Sequence, residues 1–440
     1  MTTKDLQLVA DGFSFPTSVA FDDNGTAYVA ESGLPFDGAQ PGGRVWRLGR
    51  ARELVAEGFR QPVNGLVFHR GALYVSEGGH PGRISRLDLD GTYTTLLDNL
   101  PGPGNYHTNM AVFGPDSKLY FSLGAMTNAG IIGLDAYEMG WLRRLPHAHD
   151  IPGYDVTLTG ASAETGDPLA GDTNSRAVTG AFAPFGTATS AGDRLRGRVP
   201  CTAAVMRCDP SSGELELVAW GLRNAYGLAF TADGRLLATD QGADERGSRP
   251  IGNAPDSLFE VKSAAWYGWP DFIGGIPVTD ARFRPERGPA PTFLLANHDE
   301  LPPPEPPLFS FPPHAAAAKL APLPPEHPVW PDQILVALFG DERPLTAPAG
   351  PRVGRSLARI DLIKRTLHVV SLAPLDRPID VVLHPDGDIY ILDFGHFEMG
   401  TQGAVEAVRA SGKLWRMTFA GSGRRQNTAR ESIGDRALVC

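Results

Sequence analysis

Three basic residues, His107, Arg223 and Arg377, stand at the head of repeated strand–turn–strand units in this 440-residue chain. An imidazole titrates near neutral pH and can act as a general base. The same histidine could instead be a loop residue bonded to a backbone group. Arg223 and Asn224 pair a guanidinium with an amide, which could hold a carboxylate, a carbonyl or a phosphate. They could equally be a salt bridge stitching neighbouring elements. Arg377 precedes the last repeat in the same register, in LDRPIDVV. Gly242, Ala243, Asp244 and Glu245 form a small loop whose carbonyls and carboxylates suit a hard cation such as calcium, or make a plain polar turn. Asp341, in FGDERP, is a further carboxylate at a strand end. His147 and His149, in LPHAHDIPGYD, would face one way on an extended segment and could meet one metal. No third ligand is evident from spacing, and exposed loop histidines are the simpler account. His314 and His327 fall in a proline-rich stretch and carry less weight.

These residues need a scaffold that repeats. Five segments share one pattern: PTSVAFDDNGTAYVAESG from Pro16, PVNGLVFHRGALYVSEGG from Pro62, HTNMAVFGPDSKLYFSLG from His107, NAYGLAFTADGRLLATDQG from Asn224 and PIDVVLHPDGDIYILDFG from Pro378. Each is a short apolar strand, a polar turn, a second strand and a small polar loop. Asp-Gly between apolar segments is a strong hairpin signal. The first three copies lie about 46 residues apart, the size of a four-stranded propeller blade. WPDQILVALFGD, from Trp330, is a degenerate copy without its first strand signature. The expectation is an all-β fold, a six-bladed β-propeller, which leaves only short, protected sheet edges. GRVWRLG, GRISRLDLDG, AAVMRCDPSSGELELV, LARIDLIKRTLHVV and GKLWRMTF would supply the outer strands.

Three stretches break the period, at about 125–200, 271–328 and 343–354. Long loops in a compact domain are usually functional lids or disordered. All three are expected as insertions on one face, around the central axis. Residues 1–420 would form a single domain, and the polar tail 421–440 is expected to fray.

Composition narrows the function classes. A net charge of −10 disfavours nonspecific binding to nucleic acid or to an anionic membrane. No apolar run approaches the roughly 18–20 residues that span a bilayer. The first residues, MTTKDLQLVADGFSFPTS, lack the basic and apolar regions of a secretory signal. Cys201 and Cys208 are too far apart along one strand to pair, and Cys440 ends the chain. Reduced thiols and a cytoplasmic location are the simplest expectation, with a periplasmic or secreted one if the N-terminus is processed. A small-molecule substrate is the expected partner.

Over roughly Gly12 to Ala420 the chain resembles the glucose/sorbosone dehydrogenase family, six-bladed propellers related to soluble quinoprotein glucose dehydrogenase. GLRNAYGLAF, the DQGADE loop with YGWP after it, and HTNMAVFGPDSKLYFSLG carry the resemblance. It implies pyrroloquinoline quinone (PQQ), calcium, and oxidation of a sugar, polyol or related aldehyde. By motif, His107 would be the general base and Arg223 with Asn224 would contact the quinone carbonyls. Gly242 and Ala243 would offer carbonyls to calcium, and Arg377 would pair with a cofactor carboxylate. The chain differs from the family pattern in four places, one being that the His107 segment is about one residue shorter before its Gly-Pro-Asp turn. Ala243 replaces a proline in the calcium loop. Ile379 replaces a second arginine. A quinone-gripping lysine has no counterpart between Phe339 and Ser356. Two alternatives keep the propeller: a non-redox lactonase, lyase or isomerase on a carbohydrate-like or secondary-metabolite substrate, and a noncatalytic binding module.

Overall fold

The computed structural model describes residues 4–172, 174–343, 345–347, 350–370, 375–400 and 404–419, so the expected tail 421–440 lies outside them. Six antiparallel sheets follow one another along the chain. Blade 1 runs Pro16–Phe21, Ala27–Glu31, Gly43–Leu48, Arg52–Phe59, and blade 2 runs Val63–His69, Ala72–Glu77, Gly82–Asp88, Tyr93–Leu100. Blade 3 comprises Thr108–Phe113, Leu119–Leu123, Ala204–Cys208 and Leu215–Trp220, and blade 4 comprises Ala225–Phe230, Leu236–Asp240, Pro255–Glu260 and Phe309–Pro313. Blade 5 is Ala317–Pro322, Ile334–Leu338, Ser356–Asp361, Thr366–Val370. The first strands of successive blades touch one another in a closed ring, which defines the central axis. The fold is a six-bladed β-propeller.

Blade 6 closes that ring. Its inner strands Pro378–Leu383 and Ile389–Asp393 lead to Gly412–Phe419, and its outermost strand is the N-terminal Lys4–Phe13, paired antiparallel with Gly412–Phe419. Pairing Lys4–Phe13 with Gly412–Phe419 in one sheet closes the ring of blades with backbone hydrogen bonds and leaves only short outer edges. Inner strands read as near-continuous apolar runs because each packs against a blade on both faces. Val29, Val75, Phe121, Leu237, Val336 and Ile391 are all buried second-strand residues.

The proline-rich stretch 271–328, expected as an insertion, carries two blade strands near its end. Phe309–Pro313 is the outer strand of blade 4, and Ala317–Pro322 is the inner strand of blade 5. Proline is tolerated on an outer strand, whose unpaired side needs no donor. Small alanines suit a crowded axis, so neither strand shows the usual alternation. The insertion itself leaves after Glu260, adds Ala265–Trp266 to blade 3 as a parallel fifth strand, and is tied to the first insertion by Arg249 of a blade 4 loop, which donates to Thr292 O at 2.6 Å and to Ala129 O at 3.0 Å. The first insertion is ordered as two short helices, Leu134–Glu138 and Trp141–Arg144, and two ribbons. Cys201 and Cys208 are buried free thiols, with burial pushing both up to about 12.

A carboxylate at the end of several second strands fastens its blade. Glu31 accepts from Ser14 N at 2.7 Å, and Asp393 accepts from Asp376 N at 2.7 Å and Arg377 N at 2.9 Å. Glu77 is fully buried and accepts from Arg60 N at 2.5 Å, Ser85 Oγ at 2.6 Å and Arg83 Nε at 2.7 Å. Glu77→Ala strands all three donors, so chemical denaturation should show a loss of about 3 kcal/mol. A loss below about 1 kcal/mol would mean that these carboxylates do not hold the blades.

Candidate active site

The strand ends that carry these carboxylates surround a cavity of about 790 Å³ at the axis. That is within the range of small-molecule sites. His107, Arg223, Asn224, Gly242 and Asp244 line it, whereas Arg377, Ala243 and Glu245 do not.

His107 sits between blades 2 and 3. A Cβ on Gly78 would stand 2.6 Å from His107 Cβ, so the imidazole reaches its place only because Gly78 has no side chain. His107 Nδ1 is shut away from solvent and makes no hydrogen bond of ordinary geometry. Burial lowers the imidazole to about 4; the Gly78 backbone pulls weakly the other way, and the Arg144 charge adds to the lowering. The ring is therefore neutral at physiological pH, with a lone pair to offer.

Arg223 is buried and every arm is engaged. Nε donates to Asn128 O at 2.9 Å; Nη2 donates to Asn128 Oδ1 at 2.7 Å and Asp244 Oδ2 at 3.1 Å; Nη1 donates to Gln241 O at 3.2 Å and Gly242 O at 2.5 Å. Its face lies on the Tyr106 ring, 4.5 Å from the centroid. Asn224 accepts from Asn109 Nδ2 and donates to Gln241 Oε1, both at 2.8 Å. Asp244 also holds Arg246 Nε at 3.1 Å, and Arg246 continues to Asp135 and to Tyr106 OH at 3.0 Å. Burial pushes Asp244 up, but the Arg223 and Arg246 guanidiniums outweigh it and hold the carboxyl low. Three of the four calcium-loop candidates, Gly242, Asp244 and Glu245, thus accept from the protein's own donors. Gly242 O caps Arg223, Asp244 O accepts from Asn128 Nδ2 at 2.8 Å, Ala243 lies in an apolar cluster with Ile251 and Phe283, and Glu245 Oε2 accepts from Glu286 N at 3.0 Å.

Arg377 has no exposed surface. Nε donates to Phe397 O at 2.9 Å; Nη1 donates to Phe339 O, Gly340 O and Asp341 O at 3.3, 3.1 and 3.0 Å; Nη2 meets Glu398 Oε2 at 3.0 Å. It clamps blade 5 to blade 6. Asp341 faces the cavity with Oδ2 lacking a hydrogen bond, 3.7 Å from Arg352 Nη1. Glu342 also lines the cavity; burial raises it to about 7, Arg377 works against that, and Asp244 adds to it. His314 lines the wall with Nδ1 3.9 Å from Asp244 Oδ1. His147 and His149 sit outside the cavity, joined only by His149 Nδ1 with His147 O at 3.1 Å. Among the described residues no group of three or more His, Cys, Asp or Glu side chains is placed to share a metal.

Asn128, Arg246, Glu342 and Arg144 were not singled out from the sequence. Arg246 had a signal, two residues beyond Asp244 in the DQGADER loop. Asn128 and Arg144 lie in the aperiodic first insertion, where no pattern pointed to them.

The cavity as built does not fit a tricarboxylate quinone with calcium at the positions the motifs assign. The wall already carries Glu138, Asp244, Asp341 and Glu342, and Arg377 is turned away from it. Arg144 is the one lining guanidinium without a hydrogen bond or ion pair among the described residues. No helix of the described residues is long and apolar enough to cross a membrane.

No protein-family model matches the chain, and no curated protein matches it. Solved structures do. A PQQ-bound aldose sugar dehydrogenase from Streptomyces coelicolor aligns at 14% identity and a TM-score of 0.55, over 95% of this chain and 98% of that one. The PQQ domain of pyranose dehydrogenase from Coprinopsis cinerea, in its holo form, aligns at 13% identity and 0.57, over 94% and 95%. The apo form of a soluble aldose sugar dehydrogenase from Escherichia coli aligns at 15% and 0.52, over 94% and 99%. At these identities the likeness establishes the fold, shared end to end with propellers that are sugar dehydrogenases.

Proposed function

We propose that the axial cavity is the active site of a dehydrogenase that oxidises a sugar, polyol or related aldehyde, with His107 as the general base. The observation that carries this reading is a neutral imidazole, its Nδ1 without a hydrogen bond of ordinary geometry, in the wall of a cavity of about 790 Å³. The likeness to sugar dehydrogenases along the whole chain supports the substrate class. In this reading the imidazole takes the proton of a substrate hydroxyl. Asn109 and Asn224, locked to each other at 2.8 Å, form a fixed polar floor against which hydroxyl groups orient. The two short helices of the first insertion, through Met139 and Trp141, shield the reacting centre from water. The two electrons need an acceptor, and the residues assigned to PQQ and calcium by motif are committed elsewhere.

That commitment favours one second reading. The same base and cavity could run a non-redox elimination, isomerisation or lactone hydrolysis, which needs no acceptor. The two are separated by adding PQQ with calcium to the purified protein and following its melting temperature. A ligand at 100 times its Kd stabilises by roughly 2.7 kcal/mol. A saturable shift that needs both additives, followed by dye reduction with a sugar, supports the quinone dehydrogenase. No shift, together with turnover in the absence of any redox dye, places the chemistry in the non-redox class.

A further inference from the structure

The cavity wall carries more acidic than basic side chains. On the blade 5 side stand Asp341 and Glu342, and Glu138 lines the cavity from the short helix that precedes Arg144. Arg223 and Arg246 also line the cavity, but Asp244 and Asp135 neutralise them. The helix Trp141–Arg144 brings Arg144 to the cavity rim, exposed to solvent. Arg144 has neither a hydrogen bond nor an ion pair among the described residues. Arg144 and His107 line the same cavity, and the Arg144 charge adds to what disfavours a protonated ring. A neutral sugar would leave this cation to solvent alone. A substrate with one anionic group would be drawn to it and turned away from the acidic wall, which fixes which end meets His107.

We propose that the substrate carries a negatively charged group, a carboxylate or a phosphate, which pairs with Arg144 while the reacting carbon stands at His107. This rests on the sugar-oxidising reading and narrows it to an acidic or phosphorylated sugar or polyol. A planar guanidinium can grip either group by two parallel hydrogen bonds.

The test is isothermal titration of the whole protein with four probes: D-glucuronate, its methyl ester, D-glucose 6-phosphate and inorganic phosphate. The wild-type protein should bind an anionic sugar about tenfold or more tightly than the neutral ester, and added salt should erode the difference. Arg144→Gln should bring acid and ester together, and Arg144→Lys should restore part of the gap. Because Arg144 has no partner to lose, its substitution should leave the melting temperature unchanged. Preference for glucuronate or for the phosphate identifies which anion the site takes. Equal binding of acid and ester in the wild type, or a preference that survives Arg144→Gln, overturns the anion site and leaves the sugar reading standing. Arg144-dependent binding of inorganic phosphate with no sugar binding keeps the site and removes the sugar reading. No binding by any probe overturns both.

Discussion

His107→Ala should lower turnover of the best substrate by 10²-fold or more, with little change in melting temperature. Nδ1 makes no hydrogen bond of ordinary geometry that its loss would strand, so with the melting temperature held a fall in activity would report chemistry and not unfolding. The pH profile carries a second, independent signature. An ordinary histidine base loses activity below about 6.5, but burial holds this imidazole at about 4, so the acidic limb should fall near pH 4. The stability consequence has a fixed sign. The folded value lies below the unfolded one, so the contribution is complete above about pH 6.5 and is lost as pH falls toward 4. Unchanged turnover in His107→Ala would remove the base from this residue. A limb near pH 6.5 would mean that the ring is wetter than its packing against Gly78 implies.

Arg377→Ala should be the most damaging single change in stability, about 3–5 kcal/mol by chemical denaturation. Its guanidinium has no exposed surface and serves four backbone carbonyls and Glu398. Removing it leaves the carbonyls of Phe339, Gly340, Asp341 and Phe397 buried without that donor, each a desolvated group that has lost a partner. Arg377→Lys should recover little, because a single ammonium cannot span acceptors in both blades. If Arg377 instead holds a cofactor carboxylate, its removal would leave the melting temperature of the ligand-free protein almost unchanged and abolish the shift caused by PQQ with calcium. The two outcomes are opposite in the same experiment.

How much of this was legible beforehand depends on the range of the interaction involved. The hairpins from Pro16, Pro62, His107, Asn224 and Pro378 were legible because alternation and a polar turn act within about 20 residues. The inner strand Ala317–Pro322 was not, since its alanines answer to crowding at the axis and its neighbours are prolines. The partnership of Lys4–Phe13 with Gly412–Phe419 was also invisible, because nothing local in either segment names a partner some 400 residues away. In the site, position was legible and state was not. His107, Arg223 and Arg377 share one register in the repeat, yet one is unbonded in the cavity wall, one is consumed by the Asn128 and Asp244 network, and one is buried between blades.

The chain by itself determined a repeated four-stranded unit, its approximate number, and the identity of the groups placed at the strand ends, because these follow from side-chain periodicity and turn chemistry within each repeat. Only the tertiary structure decided which of those groups remain free to act. A charged side chain spends its hydrogen-bonding capacity on whatever the fold brings within about 3 Å. For Arg223 those partners come from blade 4 and the first insertion, and for Arg377 from blades 5 and 6, while His107 Nδ1 and, among the described residues, the Arg144 guanidinium are left with none.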